Sequence, residues 1–246
     1  MRRVLVIGIG AGDPEYLTLA AVRALGEADA FFVMDKGGDT EDLAALRREV
    51  CARHATRPDQ RVVEVTDPPR GADVAAWHEQ RAGIYERLLA GELGEHGTGA
   101  FLVWGDPAFY DSTLRVLRRV ADRGTVRFGV EVVPGISAVQ ALAARFAVPL
   151  HAVGGAVQVT TGRRLAAYGW PDGADGVVVM LDGGCAFTTL DPAGVTIRWG
   201  AYLGTPDEIL VEGPLADVAT EIVRVRAEAR ERKGWMFDTY LLSREG

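Results

Sequence analysis

The sequence predicts an α/β protein of two domains, residues 1–133 on a mostly parallel sheet and residues 134–246 on a mixed one. Three observations carry this expectation. Through the first domain, apolar runs of strand length alternate with segments whose apolar residues recur at helical spacing, the pattern of a parallel sheet with crossover helices. After "VVPGISA" the apolar runs sit closer together on short connections such as "LGTPDE", which favour antiparallel pairing. Finally, several of the apolar runs end in turns rich in glycine and proline, among them "WGDPAFYDS", "VPGISA", "VMLDGG" and "LGTPDEIL".

Residues 3–9 pass from Arg3 into a continuous apolar run and read as a buried strand. Leu19, Val22 and Leu25 then recur at helical spacing in a helix that begins late, after Pro14 or at Thr18. A strand spans Ala30–Met34, and Thr40-Glu41-Asp42 caps a helix carrying Leu43, Leu46 and Val50. Val62–Val65 is a strand ended by "DPPRG", residues 73–90 a helix, and "AFLVW" the next strand. Asp111 or Ser112 caps a helix running to Arg123, and a strand covers residues 126–133. In the second domain the expected elements are a helix at 136–147, strands at 156–160 and 176–181, and strands near 195–202 and 208–212. A long helix at 215–232 and a last strand at 235–242 complete it.

Composition narrows the function classes. With 48% hydrophobic and 25% charged residues, the 246-residue chain is long enough to bury one large core or two modest ones. No apolar run approaches the roughly 18 residues of a membrane span, and neither a signal peptide nor a membrane partner is expected. A net charge of -7 argues against a general nucleic-acid binder, which needs clustered cations for the phosphate backbone. Cys51 and Cys185 lie far apart without a CxxC partner and the four histidines lack ligand spacing, so no metal site and no disulfide framework is expected. The expected compartment is the reducing cytoplasm.

The stretch "GIGAGDP" after the first strand admits two readings. A strand, a glycine loop, a helix and Asp35 at the end of the next strand suit a dinucleotide site, as in an NAD(P)-dependent oxidoreductase. Against that, a GxGxxG match from Gly8 puts Asp13 at the third glycine, and Pro14 removes an amide donor where a phosphate would approach. The alternative is a tight turn that uses glycine for its backbone freedom. "GDP" recurs at Gly105-Asp106-Pro107, again just past a buried strand.

The ordered set "VIGIGAGDPEYLTLAAVRALGEAD", "GDPAFYDS", "VVPGISAVQALAA", "VVVML" and "GTPDEIL" resembles the tetrapyrrole methylases, and the resemblance covers essentially the whole chain. Each motif is weak by itself, and their order carries the likeness. The resemblance implies two α/β domains with a cleft between them, a homodimer, and an S-adenosylmethionine-dependent methyltransferase that releases S-adenosylhomocysteine. It implies a tetrapyrrole substrate, with the first domain on the substrate side and the second on the cofactor side. Within the family the alternatives for this chain are a methyltransferase acting on another corrin precursor, on diphthamide or on ribosomal RNA, the last disfavoured by the acidic balance, and a tetrapyrrole carrier without catalysis is a further alternative.

Carried over residue by residue, the resemblance implies cofactor contacts at Ala11, where the family usually has proline, and at Gly105, Asp106 and Phe109. Ser137 and Ala138 of "PGISA", Met180 or Leu181 at a strand end, Leu203 in "YLGT" and Leu215 in "EGPL" complete that set. It places a catalytic aspartate at the end of the second strand, Asp35, with Asp13 as second candidate and helix capping as the alternative role of Asp13. For binding the carboxylate arms of a tetrapyrrole the chemistry favours Arg47, Arg48, Arg163 and Arg164, with Lys36 and Tyr110 as donors.

Overall fold

The computed structural model describes residues 1–35, 41–69, 71 and 73–244, with the side chains of 41–43 left out. By contact density the chain divides into two compact units, Met1–Ser137 and Ala138–Gly246.

Unit 1 carries strands β1 (Arg2–Gly8), β2 (Ala30–Asp35), β3 (Arg61–Thr66), β4 (Thr98–Val103) and β5 (Phe128–Val133). They form one parallel sheet in the order β3-β2-β4-β1-β5. Helices α1 (Leu19–Glu27), α2 (Glu41–His54), α3 (Val74–Gly91) and α4 (Thr113–Arg123) cover it. The two-residue alternation of β1 decides which side each residue serves. Val4 and Val6 face Tyr85 and Leu89 of α3 and Val116 and Val120 of α4, while Leu5, Ile7 and Ile9 face Ala21 and Leu25 of α1 and Val50 of α2. Both faces are therefore covered, which is why β1 reads as an unbroken apolar run.

The late helix start is borne out. Asp13 accepts a hydrogen bond from Glu15 N at 2.8 Å and caps a single 3₁₀ turn at Pro14–Tyr16, and α1 begins only at Leu19, with Thr18 Oγ1 accepting from Ala21 N. At α4 the two capping candidates divide the work. Ser112 occupies the cap position, and Asp111 supplies the carboxylate, accepting from Thr113 N at 2.6 Å. The expected cap Thr40 lies outside the described residues.

Unit 2 has α5 (Ala138–Arg145), β6 (Val157–Thr161), α6 (Gly162–Tyr168), β7 (Gly176–Met180), β8 (Val195–Ala201), β9 (Ile209–Pro214), α7 (Leu215–Lys233) and β10 (Asp238–Arg244). Its sheet runs β6-β7-β10-β8-β9. β6 and β7 are parallel and the other pairings antiparallel, so the sheet is mixed. Trp199, Tyr240, Val177 and Val179 pack beneath Leu165 of α6 and Ile222 and Ala229 of α7.

Three elements depart from expectation for physical reasons. The parallel β6-β7 pair requires a crossover, and α6 supplies it in seven residues, too few for a helical period to show in "GRRLAAY". The last strand starts at Asp238 rather than 235, because Trp235 and Phe237 are spent in an edge-to-face cluster with Tyr202, and Phe237 O accepts from Tyr202 N. α5 stops at Arg145, where Ala147 turns left-handed (φ 52°) and Val148 N bonds back to Ala143 O.

Candidate functional site

In open α/β sheets ligands gather outside the carboxyl ends of the strands. In unit 1 those ends are three loops knitted by their backbones. Gly10 and Gly105 form an antiparallel bridge, Gly10 N donating to Gly105 O at 3.2 Å and Gly105 N to Gly10 O at 2.7 Å. A Cβ built on Gly135 would stand 2.2 Å from Gly105 O and 2.7 Å from Gly8 C, so only glycine permits this approach. Asp106 locks the junction: Oδ2 accepts from Gly135 N at 2.9 Å while Oδ1 accepts from Ala108 N at 2.7 Å. The acid of "GDP" thus ties two of the loops expected to meet the cofactor.

This geometry decides between the two readings of the glycine loop. The amides of Ile9 and Gly10 are spent on Val103 O and Gly105 O, and the Cβ position of Gly10 (φ 84°) is closed by Tyr16. Strand β4 also lies between β2 and β1, whereas the dinucleotide-binding order places strand 1 beside strand 2. The loop is a backbone joint and not a phosphate cradle.

The expected site residues of unit 1 fall around this joint. Ala11 is buried, Gly105 and Asp106 are in the joint itself, Phe109 is half-buried, and Ser137 is buried immediately before α5. Tyr110 is 42% exposed and adopts a left-handed backbone (φ 51°), so its hydroxyl-bearing ring stands out from the loop after β4. Asp35 ends β2, half-buried, with its carbonyl accepting from Asp67 N at 2.6 Å. Asp13, two loops away, keeps its capping bond to Glu15 N, so that carboxylate has at least one structural duty.

In unit 2 the strand-end loops are unusual in backbone conformation. Among the described residues of both units five non-glycine residues have φ near +50°, and three of them, Leu181, Cys185 and Tyr202, lie just past β7 and β8. Such a conformation costs roughly 1–2 kcal/mol per residue, and its clustering at loop ends points to function. Leu181 is 58% exposed beside half-buried Met180, and Ala138 opens α5. Tyr202 is held by its hydroxyl donating to Trp235 O at 2.6 Å and by its carbonyl, which accepts from Thr205. Leu203 and Leu215 are 4% and 1% exposed, so their side chains serve the core. Any contact they make to a ligand falls to their backbone.

Within unit 1 the two expected arginines take different partners. Arg47 donates from Nε to Leu102 O at 3.3 Å, and burial pushes its guanidinium below the ordinary range despite nearby Asp111. Its neighbour Arg48 turns away to pair with Glu64 at 3.3 Å. Arg163 and Arg164 are exposed on α6 in unit 2, Arg164 lying 5.0 Å over the Tyr168 ring. Lys36 lies outside the described residues.

Sequence reasoning missed two buried charged groups. In unit 1, Arg81 of α3 pairs with Asp67 at 2.7 Å and donates to Ser112 Oγ and Tyr85 Oη. In unit 2, Asp182, Arg226 and Asp238 meet under the turn that follows β7. The only sequence signals were the acids of "DPPRG" and "LDGG" placed just after strands. No group of metal-ligating side chains occurs among the described residues. No helix among them is long and apolar enough to cross a membrane.

The sequence profile of the Tetrapyrrole (Corrin/Porphyrin) Methylases matches residues 3–219. The chain is 50% identical to a precorrin-6A synthase [deacetylating] of Sinorhizobium sp over 98% of its own length and 95% of that protein's. It superposes on the crystal structure of a cobalamin synthesis related protein (CobF) from Corynebacterium diphtheriae with a TM-score of 0.88 and 36% identity, covering 99% of both chains. A uroporphyrin-III C-methyl transferase from Thermus thermophilus, solved with S-adenyl homocysteine, shares the fold at TM-score 0.60 and 23% identity over 98% of this chain and 97% of that one. On the profile match and the near full-length identity, the chain belongs to the tetrapyrrole methylases.

Proposed function

We propose that this chain is an S-adenosylmethionine-dependent C-methyltransferase of corrin biosynthesis that converts precorrin-5 to precorrin-6A, methylating ring carbon 1 with hydrolytic loss of acetate. The observation that carries the reading is 50% identity to a deacetylating precorrin-6A synthase across 98% of the chain. The strand-end loops support it. They are backbone joints with exposed apolar side chains and few cations, a donor set that suits a zwitterionic sulfonium cofactor better than a polyphosphate.

When bound, S-adenosylmethionine supplies an electrophilic methyl group. The chain's own part is positioning and acid-base chemistry. Residues Ala11, Gly105, Asp106, Phe109 and Ser137 in unit 1, and Ala138, Met180, Leu181 and the backbone of Leu203 and Leu215 in unit 2, would hold the cofactor. Holding donor and acceptor in line and excluding water supplies most of the acceleration, so no nucleophilic side chain is required. Loss of the acetyl group asks for more. A water attacks the acetyl carbonyl, acetate leaves, and the electron pair of the broken bond remains on ring carbon 1, which then takes the methyl. Asp35 at the end of β2 would accept the proton of that water, with Asp13 as second candidate, and Tyr110 or Lys36 would donate to the carbonyl oxygen. Arg47, Arg48, Arg163 and Arg164 are the candidate partners of the substrate carboxylates. A homodimer acting in the cytoplasm belongs to the same reading.

Calorimetric titration separates this reading from the oxidoreductase. S-adenosylhomocysteine is expected to bind and NADH to give no heat. Binding of NADH alone would overturn the assignment.

A further inference from the structure

We infer that the buried cluster of Asp182, Tyr240, Arg226, Asp238 and Trp199 is a positioning device that holds the turn after β7 in the shape that receives the methyl donor. This rests on the cofactor assignment of Met180 and Leu181 proposed above.

Four bonds of the cluster end on Asp182, the residue that follows Leu181, and the others hold Arg226 in place. The Asp182 carboxylate accepts from Gly184 N (2.9 Å), Ala186 N (2.6 Å) and Tyr240 Oη (2.6 Å). Its backbone carbonyl accepts from Arg226 at 2.6 Å. Arg226 is fixed in turn by Asp238 at 2.8 Å, and the same carboxylate oxygen accepts from Trp199 Nε1 at 3.1 Å. Gly162 leaves room for the carboxylate, since a Cβ there would lie 2.3 Å from Asp182 Cγ. Burial and the Asp182 charge push the Tyr240 hydroxyl above the ordinary phenol range, so it stays a donor.

A buried ion pair is weak evidence of a role in stability, because well-packed apolar residues often replace buried charges without loss of stability. What the cluster secures is local. Leu181 sits at φ 53° with its side chain 58% exposed, contributing little to the core, and Cys185 at φ 53° closes the same turn. Gly183 and Gly184 need neither positive φ nor space, since a Cβ on either would meet nothing within 4 Å. A strained turn with bare backbone and an outward apolar side chain, pinned from beneath by a saturated polar network, is preorganised to meet a ligand without paying for its own ordering.

Tyr240→Phe removes one bond to Asp182 and little volume. Val178→Ala, on the neighbouring strand β7, trims a fully buried side chain outside the cluster and serves as a control for stability alone. For each variant the dissociation constant of S-adenosylhomocysteine is measured by calorimetry below the melting transition, together with Tm. Tyr240→Phe is expected to weaken binding at least fivefold and Val178→Ala to leave it within twofold, although both lower Tm. If Tyr240→Phe does not fold, Asp182→Asn reads the same bonds with the same expectation. Binding within twofold of wild type in the cluster variant, or equal weakening in Val178→Ala, would overturn the inference while leaving the cofactor assignment standing. Failure of the wild-type protein to bind S-adenosylhomocysteine would remove both.

Discussion

Gly135→Ala is expected to destabilise unit 1 by about 3 kcal/mol or more and to weaken S-adenosylhomocysteine binding at least about tenfold. The added methyl would stand 2.2 Å from Gly105 O, 2.7 Å from Gly8 C and 2.8 Å from Gly8 Cα. All three are backbone atoms, so no side chain can rotate out of the way and the strand-end loops themselves must separate. Separation also stretches the Asp106 bond to Gly135 N, which is 2.9 Å in the intact joint. For a chain of this size, 3 kcal/mol corresponds to a fall in Tm of roughly 6–12 °C. Gly94→Ala is the matched control: no atom lies within 4 Å of its Cβ position, and its Tm is expected to stay close to wild type. A Gly135→Ala protein that melts and binds like wild type would show that the glycine joint is not tight.

Asp35→Asn is expected to slow turnover at least about tenfold, a floor beneath the roughly 10²–10⁴-fold that a positioned general base contributes, while leaving S-adenosylhomocysteine affinity within about twofold. The substitution keeps shape and hydrogen-bonding reach but cannot accept a proton. The carbonyl of Asp35, which anchors Asp67 N at 2.6 Å, is untouched, so the C-terminal edge of β2 should hold its form. A selective loss in kcat is therefore the signature of the proposed role. Near-normal turnover would remove Asp35 and shift attention to Asp13, whose carboxylate already caps the turn at Pro14–Tyr16.

Much of this molecule is written locally in its chain. β1 is legible because both of its faces are covered, and α1 because Thr18 caps it, although its buried face is Ala21, Ala24 and Leu25 and the expected Leu19 stands 78% exposed. The parallel first sheet and mixed second sheet follow from how far apart the strands fall. What stayed hidden depends on distant partners. Nothing in "VVPGISA" reveals that Gly135 must touch Gly105 and Gly8, since that requires knowing that β4 inserts beside β1. The aromatic run at Trp235–Phe237 satisfies the pattern of a strand, and only its packing on Tyr202 moves the strand onward. The cluster beneath Leu181 joins residues 44 and 58 positions apart, and its members look like surface charges one at a time. The adjacent pair Arg47 and Arg48 misleads in the opposite sense, because neighbours on a helix point to different partners.

The deacetylating methyl transfer is tested most directly by supplying the purified protein with precorrin-5 and methyl-labelled S-adenosylmethionine, and counting both products in single-turnover and steady-state samples. The expected result is one labelled methyl group incorporated at ring carbon 1 for each acetate released. Methylation without acetate, or acetate without methylation, would contradict the coupling of the two steps on which the proposed function rests.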